Sequence, residues 1–525
     1  MPITDGAIEE YIATVRQEWH RLLEIDGSDL ADDSDFFSYG GHSMLAIELA
    51  ARLSNSTGLV ISAYELLVDT TVAGMAGVVW RAALARPEGA AVPVPVVEDA
   101  GTTAARILTT ANQVARLAAL KGPDGWQQPP CVFGIRLRGV VSRDILADSL
   151  TWIVRRHSAL RSYFPGTETV FAVCVPVENV SWSLPVVDGA AELPALRGLE
   201  RSFEVERFPL FRAVLIQHTV DEQLLGIAVD HLVFDGESVN VFLRELERVY
   251  AHLSAGADPS VLATTVSDFG LWADTERARA LSPSAGSDEA YWAKRWAGLA
   301  AYPPLPLPMI TQARQAEGPG RRWRRELSAD DVARLRARAE SHGITPFMLA
   351  ATAVFVAFRD SSGTEDLGLI VPSVGRGHPG TEDAIGYFNS AFLLRITARR
   401  DADFATVAGE VRRATVEALR HDSLSFYTLQ QRLFPTEHGT RPVHPYLLLN
   451  VGRAARPPVM PGLRTELVWP ESPDGHASYR GISIELTLGA AGEAGIAGGY
   501  NGGLYDVSIV NTYLETVTDL MLHGC

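Results

Sequence analysis

A segment that favours neither helix nor strand divides this chain into two unequal parts. Residues 84–103 read L-A-R-P-E-G-A-A-V-P-V-P-V-V-E-D-A-G-T-T, with three prolines and no amphipathic pattern. Proline locks its own backbone angle and disfavours helix in the residue before it, so such a stretch forms a partly stiffened linker. We therefore predict a linker at residues 86–103, between a small unit at residues 1–85 and a large body at residues 104–525.

The small unit has the pattern of four short helices. Apolar residues recur at helical spacing near its start, at Ile8, Tyr11, Ile12, Val15, Trp19, Leu22 and Leu23. The acidic run at residues 29–35 is expected to end this helix, and a second helix is expected to begin near Ser43. An apolar segment at residues 60–68 then leads into a last helix that begins near Thr70 or Thr71. Four short helices in this length predict a small bundle.

The charge of the chain limits its partners. Residues 1–85 carry 13 Asp and Glu against 4 Arg, a balance of −9 within a net charge of −17. Nucleic acid is not an expected partner, because a phosphate backbone needs basic patches. The acidic unit suits docking to basic patches on partner enzymes.

Neither the hydropathy nor the cysteines suggest export or a membrane. No apolar run reaches the roughly 20 residues that a membrane span needs, and the acidic N-terminus lacks the basic segment of an export signal. Cys131, Cys174 and Cys525 are too widely spaced for a disulfide framework or a metal cluster. We expect a cytoplasmic protein without a metal and without membrane contact.

Ser43 follows two glycines in the sequence D-F-F-S-Y-G-G-H-S-M-L-A at residues 35–46. A serine at the start of a helix can cap the free N–H groups of the first turn. It can also carry a phosphate ester there, because the positive end of the helix dipole favours an anion. The short pattern alone leaves both interpretations open.

Within its acidic four-helix unit, this segment resembles the peptidyl carrier domain of nonribosomal peptide synthetases. The resemblance covers about residues 5–85, and the matching residues are Phe36, Phe37, Gly40, Gly41, His42, Ser43 and Ala46. Tyr39 stands where that family usually has leucine. The resemblance implies that a phosphopantetheinyl transferase attaches 4′-phosphopantetheine to Ser43, and that this arm holds an acyl group as a thioester.

The body resembles the condensation domain of the same synthetases along most of residues 104–525. D-H-L-V-F-D-G-E-S at residues 230–238 differs at one position from that family's H-H-x-x-x-D-G. Further matches are R-H-S-A-L-R-S-Y-F from residue 156, S-D-F-G-L-W from 267, V-P-S-V-G-R from 371 and I-G-Y-F-N-S from 385. The resemblance implies an α/β domain of two chloramphenicol-acetyltransferase-like lobes in a V, with a tunnel between them.

The boundary between the two lobes is expected near residue 276. A polar, Pro-rich break at residues 276–308 separates the patterned segments on either side. We therefore predict an N-terminal lobe at residues 104–275 and a C-terminal lobe at residues 276–525.

The second histidine position of the motif, His231, is the catalytic group that the resemblance implies. An amine or hydroxyl that attacks a thioester loses a proton, and a neutral imidazole near its normal pKa can take that proton. A histidine in an apolar turn also fits a purely structural role. The resemblance further implies a structural ion pair from Asp235 to Arg376 or Arg161. It implies that Gly236 permits the turn and holds its N–H near the oxyanion.

Two other elements of the condensation family are present, one matched poorly and the other matched well. The first motif, S-x-A-Q-x-R-L-W, is matched only by Gln113 and a shifted Arg116. Asn389 belongs to the matching I-G-Y-F-N element, and we expect it to be structural rather than catalytic.

Asp230 is where this chain departs from the condensation motif. A carboxylate beside His231 can raise the pKa of that histidine or reshape the tunnel for an unusual acceptor, and we favour the second hypothesis. The candidate catalytic residues are therefore His231, Asp235, Gly236 and Asp230.

Three alternative functions stay open. D-x-x-x-x-D-x-x-S is also the pattern of heterocyclisation domains, although those usually lose the histidine that is kept here. An epimerisation domain also follows a carrier directly, but its E-G-H-G-R-E-type motif is not found in this sequence. A catalytically silent module that docks other proteins is the third.

The sequence predicts an acyltransferase whose carrier presents the donor. No adenylation domain is found, so a stand-alone adenylation enzyme is expected to load the carrier. The acceptor is expected from outside, as a small amine or alcohol or as cargo on another carrier protein. We expect an amide product rather than an ester.

Overall fold

The architecture is that of a computed structural model. It describes residues 6–23, 30–39, 43–59, 61–85, 105–121, 130–166, 171–181, 183–262, 269–299, 320–373, 381–435, 446–469, 481–489 and 494–524, together with a few single residues between these segments. The predicted linker at residues 86–103 lies outside this description.

The N-terminal unit is the predicted bundle of four helices. These are α1 (Gly6–Leu23), α2 (Ser43–Thr57), α3 (Ala63–Leu66) and α4 (Val72–Ala85). The rings of Trp19 and Phe36 meet in its core with centroids 5.1 Å apart, and both side chains are fully buried. Asp35 accepts hydrogen bonds from the backbone N–H groups of Phe37 and Ser38, which holds the acidic turn before α2.

The N-terminal lobe packs helices on a five-stranded sheet of order β12-β2-β7-β6-β5, in which β12 is Arg464–Val468, beside a small sheet of order β1-β4-β3. Its elements are β1 (Ala105–Leu108), α5 (Ala111–Lys121), β2 (Cys131–Arg138), α6 (Arg143–Arg156), β3 (Ser162–Tyr163), β4 (Phe171–Cys174), β5 (Val186–Asp188), α7 (Glu192–Leu199), β6 (Phe211–Gln217), β7 (Glu222–Val229) and α8 (Gly236–Ser254). Short 3-10 helices lie at Ala159–Arg161, Val177–Asn179, Gly189–Ala191 and Pro259–Leu262.

The C-terminal lobe is built on a six-stranded sheet of order β10-β9-β11-β13-β14-β8. Its elements are β8 (Gly320–Leu327), α11 (Ala329–Ser341), α12 (Pro346–Ser362), β9 (Asp366–Ser373), β10 (Ser390–Thr397), α13 (Phe404–Arg420), α14 (Phe426–Leu433), β11 (Leu447–Arg453), β13 (Ile482–Leu488), β14 (Ala494–Asn501) and α15 (Val507–Leu522). Helix α12 is buried along most of its length, which is why its sequence is apolar on every face.

Two segments from the C-terminal half of the chain belong to the N-terminal lobe. Strand β12 (Arg464–Val468) pairs antiparallel with β2. The segment at residues 381–388, between β9 and β10, places Ile385 and Phe388 in the N-terminal hydrophobic core. The predicted boundary at residue 276 therefore separates most of the two sheets in sequence, whereas these segments tie the lobes together.

The Pro-rich break expected at residues 276–308 is wrong for its first part. Residues up to Arg295 form α9 (Phe269–Ala280) and α10 (Pro283–Arg295). Pro283 lies in the first turn of α10, where a missing N–H costs no hydrogen bond. Trp292 on α10 is buried and donates its indole N–H to the carbonyl oxygen of His421 at 2.8 Å. Packing of an amphipathic face thus decides the structure of this polar segment.

Among the residues that the structure describes, no single helix is long and apolar enough to cross a membrane. The bent pair of α11 and α12 meets the length and composition criteria only when the two helices are taken together.

Candidate active site

The turn before Ser43 is held by a close backbone approach. Ser43 is the first residue of α2, and the backbone N–H of Gly41 donates to the carbonyl oxygen of Phe36 at 2.9 Å. A Cβ at position 41 would lie only 2.3 Å from the Phe36 ring, so this position requires glycine. The turn delivers the chain to a helix N-terminus, which suits a phosphate ester on Ser43. Gly40, His42 and the Ser43 side chain lie outside the described part of the chain.

D-H-L-V-F-D-G-E-S forms the loop between β7 and α8. Leu232, Val233 and Phe234 are buried in the N-terminal core. Asp235 caps α8, because its carboxylate accepts the backbone N–H of Ser238 at 2.8 Å. These apolar anchors and the helix cap fix the loop, and the half-buried His231 lies at its start.

The predicted ion pair of Asp235 is present. One carboxylate oxygen lies 3.0 Å from Arg376, and both side chains are fully buried. The other oxygen accepts the backbone N–H of Phe388 at 3.1 Å. Arg376 is therefore the partner, whereas Arg161, the other candidate, donates to a backbone carbonyl oxygen elsewhere at 2.6 Å. The pair joins the C-terminal lobe to the loop that carries His231.

His231 has a defined tautomer. Its Nδ1 lies 3.2 Å from the carbonyl oxygen of Phe234, and a carbonyl can only accept, so Nδ1 carries the proton and donates it. The other ring nitrogen, Nε2, then holds the free lone pair. This is the atom that can accept a proton from an attacking nucleophile.

The pKa of His231 is not near its ordinary value, contrary to the expectation from sequence. Burial and the neighbouring Arg116 charge lower it to about 4, although the Asp230 carboxylate acts in the opposite direction. Asp230 raises the pKa of His231, as one of the two hypotheses held, but burial and Arg116 outweigh it. The imidazole is therefore neutral at physiological pH.

The poorly matching first motif reaches the same loop. Arg116 of α5 lies 3.3 Å from the Asp230 carboxylate, and both side chains are 6% exposed. Gln113, one turn earlier, donates its side-chain N–H to the carbonyl oxygen of Leu232 at 2.7 Å. Both residues thus contact the catalytic loop despite the weak sequence match.

Gly236 is not required by the turn, and the expectation that glycine permits it is wrong. The residue begins α8, its backbone is not left-handed, and an added Cβ would meet nothing within 4 Å. Within the described segments no acceptor lies within hydrogen-bond distance of its N–H. The position therefore combines a free donor with open space.

Asn389 contacts the site through its backbone. Its carbonyl oxygen accepts the side-chain N–H of Asn112, which ties the start of α5 to the start of β10. This contact supports a structural role for Asn389, and that role stays a prediction.

Ser238 is a residue of the site to which sequence reasoning assigned no role. Its hydroxyl donates to Asp235 at 2.7 Å and accepts from Arg376 at 3.0 Å and from the backbone N–H of Gly386 at 3.1 Å. The signal was present in the sequence, because a serine three residues after a helix-capping aspartate lies within reach of its carboxylate.

Arg453 links the carrier unit to the helix that follows the catalytic loop. Arg453, at the end of β11, donates to the carbonyl oxygen of Leu22 in the carrier at 2.6 Å. Another nitrogen of the same guanidinium lies 3.3 Å from Glu237, the residue after Gly236. On the far side, Leu419 of α13 packs against the carrier core. The carrier is thus in contact with the C-terminal lobe, and Arg453 links it to the motif helix.

Charged residues continue this interface on carrier helix α2. Glu48 is buried and lies 2.8 Å from Arg52. Burial raises the pKa of Glu48, but Arg52 and Arg453 outweigh it and hold this pKa below its ordinary value. Burial raises the pKa of Glu237, which Arg453 opposes. Arg453 therefore interacts with the Glu48 carboxylate of the carrier and with the Glu237 carboxylate of α8.

A cavity of about 300 Å³ lies in the seam between the carrier and the C-terminal lobe. Phe37 and Ser38 of the carrier line one side, and Arg336 and Arg412 line the other. The contact between the two units is thus incompletely packed here.

Comparison with known families decides what the two units are. Residues 120–446 match the family described as Condensation domain, and residues 13–79 match the one described as Phosphopantetheine attachment site. This chain belongs to the condensation domain family. The unit in front of its condensation domain is a carrier domain of nonribosomal peptide synthetases and bears covalent 4′-phosphopantetheine.

The relatives are nonribosomal peptide synthetases of much greater length. Malpinin synthetase from Mortierella alpina is 29% identical over 441 residues, which are 82% of this chain and 6% of that protein. Cyclosporin synthetase from Tolypocladium inflatum is 27% identical over 431 residues, 79% of this chain and 3% of that protein. The chain thus spans only 6% and 3% of the length of these two relatives.

Solved structures share the fold across several domain types. The X-domain in its complex with OxyB from teicoplanin biosynthesis superposes with a TM-score of 0.69 at 22% identity, covering 82% of this chain and 96% of that one. The first condensation domain of the calcium-dependent antibiotic synthetase, in complex with a substrate analogue, gives 0.65 at 20% identity, covering 80% and 96%. The epimerization domain from the third module of tyrocidine synthetase B gives 0.66 at 17% identity, covering 81% and 98%. The choice among these activities therefore rests on site residues.

Proposed function

We propose that this chain transfers an acyl or aminoacyl group from its own carrier to an amine or hydroxyl acceptor supplied in trans. The product is an amide or an ester, with the amide favoured. The observation that carries the proposal is the orientation of His231, whose Nδ1 is bound to the Phe234 carbonyl so that Nε2 remains a neutral acceptor. Bound to Ser43, 4′-phosphopantetheine supplies the thiol that holds the acyl group as a thioester.

His231 takes a proton late in the attack. An imidazole with a pKa of about 4 is a weak base, so it does not deprotonate a resting amine or alcohol. Once the nucleophile bonds to the acyl carbon, its N–H or O–H becomes strongly acidic, and Nε2 can then accept that proton. Nε2 returns the proton to the leaving thiolate as the carbon–sulfur bond of the thioester breaks. The same lone pair aligns the nucleophile beforehand through a hydrogen bond.

Gly236 supplies the oxyanion donor in this proposal. Its N–H belongs to the first turn of α8, where backbone donors and the helix dipole favour negative charge. The open space where a side chain would lie allows the acyl oxygen to approach the backbone. Asp235 and Arg376 position this turn but do not touch the reacting atoms.

The contact of Arg453 with Leu22 and Glu237 supports a donor that is presented in cis. A stand-alone adenylation enzyme would load the carrier after a phosphopantetheinyl transferase has modified it. The acceptor would be a small amine or alcohol, or cargo on another carrier protein. The proposal includes a cytoplasmic location, in keeping with the few, widely spaced cysteines.

The test begins with attachment of the arm by a phosphopantetheinyl transferase and coenzyme A, followed by intact mass. The parent is expected to gain one arm, and Ser43→Ala none. Candidate acyl groups are then loaded, and discharge by added amines and alcohols is followed. An amide or ester product supports the proposal. A product lacking one further water indicates heterocyclisation, hydrogen exchange at the substrate α-carbon indicates epimerisation, and no discharge by any acceptor indicates a docking module.

A further inference from the structure

Arg116 and Asp230 form a buried pair next to His231. Their closest atoms are 3.3 Å apart, and each side chain is only 6% exposed. The same Asp230 oxygen accepts the backbone N–H of Leu232 at 2.8 Å. An unpaired buried carboxylate is strongly disfavoured, and the cation beside Asp230 offsets the cost of burying its charge.

Helix α5 fixes both backbone polar groups of Leu232, the residue after His231. Gln113 binds the carbonyl oxygen of Leu232 directly, and Arg116 acts on its N–H through Asp230. Gln113 and Arg116 are three residues apart, so they share one face of the helix. The peptide groups around His231 are therefore clamped by a single helical turn.

We propose that Arg116 is a positioning residue for His231. It compensates for the Asp230 carboxylate, which stands at the altered position of the motif. Its guanidinium neutralises Asp230, so that this carboxylate can hold the loop without drawing a proton onto the imidazole. The effect of this ion pair on catalysis rests on the proposed acyl transfer. The pairing of Arg116 with Asp230 does not.

The charged groups that face His231 show how its pKa depends on Arg116. Arg116 comes from α5, Asp230 from the loop, and Asp235 from the cap of α8 with Arg376 as its own partner. Tyr387, from the segment at residues 381–388, stays neutral because burial raises its pKa. Without Arg116, Asp230 would be an uncompensated negative charge next to the ring. The pKa of His231 would then rise.

The experiment is a double-variant cycle on the whole chain, with Arg116→Met, Asp230→Asn and both together. Asparagine keeps the oxygen that accepts the Leu232 N–H but removes the charge. The pKa of His231 is read from the NMR shift of its ring, with the signal assigned by its absence in His231→Gln. Between about pH 5 and 8 the parent signal should not titrate, since its pKa is about 4.

Arg116→Met should bring the His231 titration into that range, and adding Asp230→Asn should remove it again. The melting temperature should fall by several degrees in Arg116→Met and recover in the double variant. Arg359→Met is the matched control, because Arg359 is also 6% exposed but lies in the C-terminal lobe. It should lower the melting temperature without changing the titration.

A His231 signal that stays untitrated in Arg116→Met would overturn the proposal, and so would a double variant less stable than Arg116→Met alone. Neither readout depends on acyl transfer. If the cycle behaves as expected while no variant, including the parent, discharges any acyl group, the proposed function fails and the pairing stands. Where the parent is active, the acid limb of its pH–rate profile should move toward neutral pH in Arg116→Met.

Discussion

The guanidinium of Arg376 lies 3.0 Å from the carboxylate of Asp235 in a fully buried contact. Arg376 follows β9 of the C-terminal lobe, whereas Asp235 caps α8 of the N-terminal lobe. Arg376 also donates to the backbone carbonyl oxygens of Thr381 and Ala384, at 2.6 Å and 2.5 Å. The pair thus anchors the segment that crosses between the lobes as well as the loop that carries His231.

Replacing Arg376 with methionine should cost about 3–5 kcal/mol of unfolding free energy, because Asp235 would be left buried without a counter-charge. Denaturant unfolding measures the change. Arg399→Met is the matched control, since Arg399 and Asp401 form an ion pair with 82% and 70% exposed side chains. That substitution should leave the free energy of unfolding nearly unchanged, because exposed ion pairs contribute little to stability. Equal midpoints for the two variants would contradict the structural role of the buried pair.

Gly41→Ala should slow attachment of the arm to Ser43. The new Cβ would lie 2.3 Å from the Phe36 ring and 2.6 Å from its carbonyl oxygen, so the turn before α2 would have to move. Overpacking of this kind costs about 1–3 kcal/mol. The measurement is the rate of mass gain with a phosphopantetheinyl transferase and coenzyme A.

Gly77→Ala is the control for that prediction. Gly77 lies within α4, and an added Cβ would meet nothing closer than 3.5 Å. Alanine is favoured over glycine inside a helix by about 1 kcal/mol, so this variant should be modified at the parent rate and be no less stable. Equal slowing of both variants would show that the turn at Gly41 has no special role.

Arg453→Gln should weaken delivery of the donor by the carrier in cis. The variant loses the ionic contacts to Glu237 and Glu48 and weakens the bond to Leu22. Single-turnover discharge should slow, while attachment of the arm at Ser43 should proceed at the parent rate. Arg456→Gln is the control, because Arg456 pairs with Glu247 of α8 at 3.0 Å. If Arg453→Gln and Arg456→Gln discharge equally fast, the contact does not contribute to delivery.

Glu382 should make stability fall as the pH rises from about 4.5 to 7. Burial raises its pKa to about 7, and one carboxylate oxygen has no hydrogen-bond partner among the described residues. The folded state therefore binds more protons than the unfolded state in this interval, and the penalty is complete above pH 7. At about 1.4 kcal/mol per pKa unit, the loss is about 3.5 kcal/mol at most.

The test is the melting temperature across this interval. Glu382→Gln should flatten the dependence and be the more stable form at pH 8. Asp383→Asn, at a side chain that is 68% exposed, should change the slope much less, because Asp383 is only one of the smaller causes of the raised pKa of Glu382. A slope in Glu382→Gln that matches the parent would assign the pH dependence to other groups.

Local patterns in the sequence predict much of this molecule. The four carrier helices follow from apolar spacing, and the position of Ser43 follows from the glycine turn and the helix after it. His231, Asp235 and Arg376 were predicted from short motifs, and the ion pair between the last two is confirmed. Each of these inferences needed only neighbouring residues or a match to one family element.

Features that depend on distant packing could not be predicted. Arg116 and Asp230 are 114 residues apart, and only the packing of α5 against the end of β7 brings them together. The low pKa of His231 depends on burial that a local pattern does not reveal. Strand β12 lies in the C-terminal half of the sequence but pairs with β2, more than 300 residues earlier. The alternation of apolar and polar residues along a strand does not specify such a distant partner.

The most direct test of the central claim is single-turnover discharge of the acyl-loaded chain, with His231→Ala compared with the parent at neutral pH. Both proteins should take up the arm at Ser43 equally well, because His231 lies in the loop between β7 and α8 and not in the carrier unit. A positioned proton acceptor contributes roughly 10²–10⁴-fold, so the variant should discharge slower by that factor. Discharge of His231→Ala at the parent rate would contradict the role of His231 as the proton acceptor.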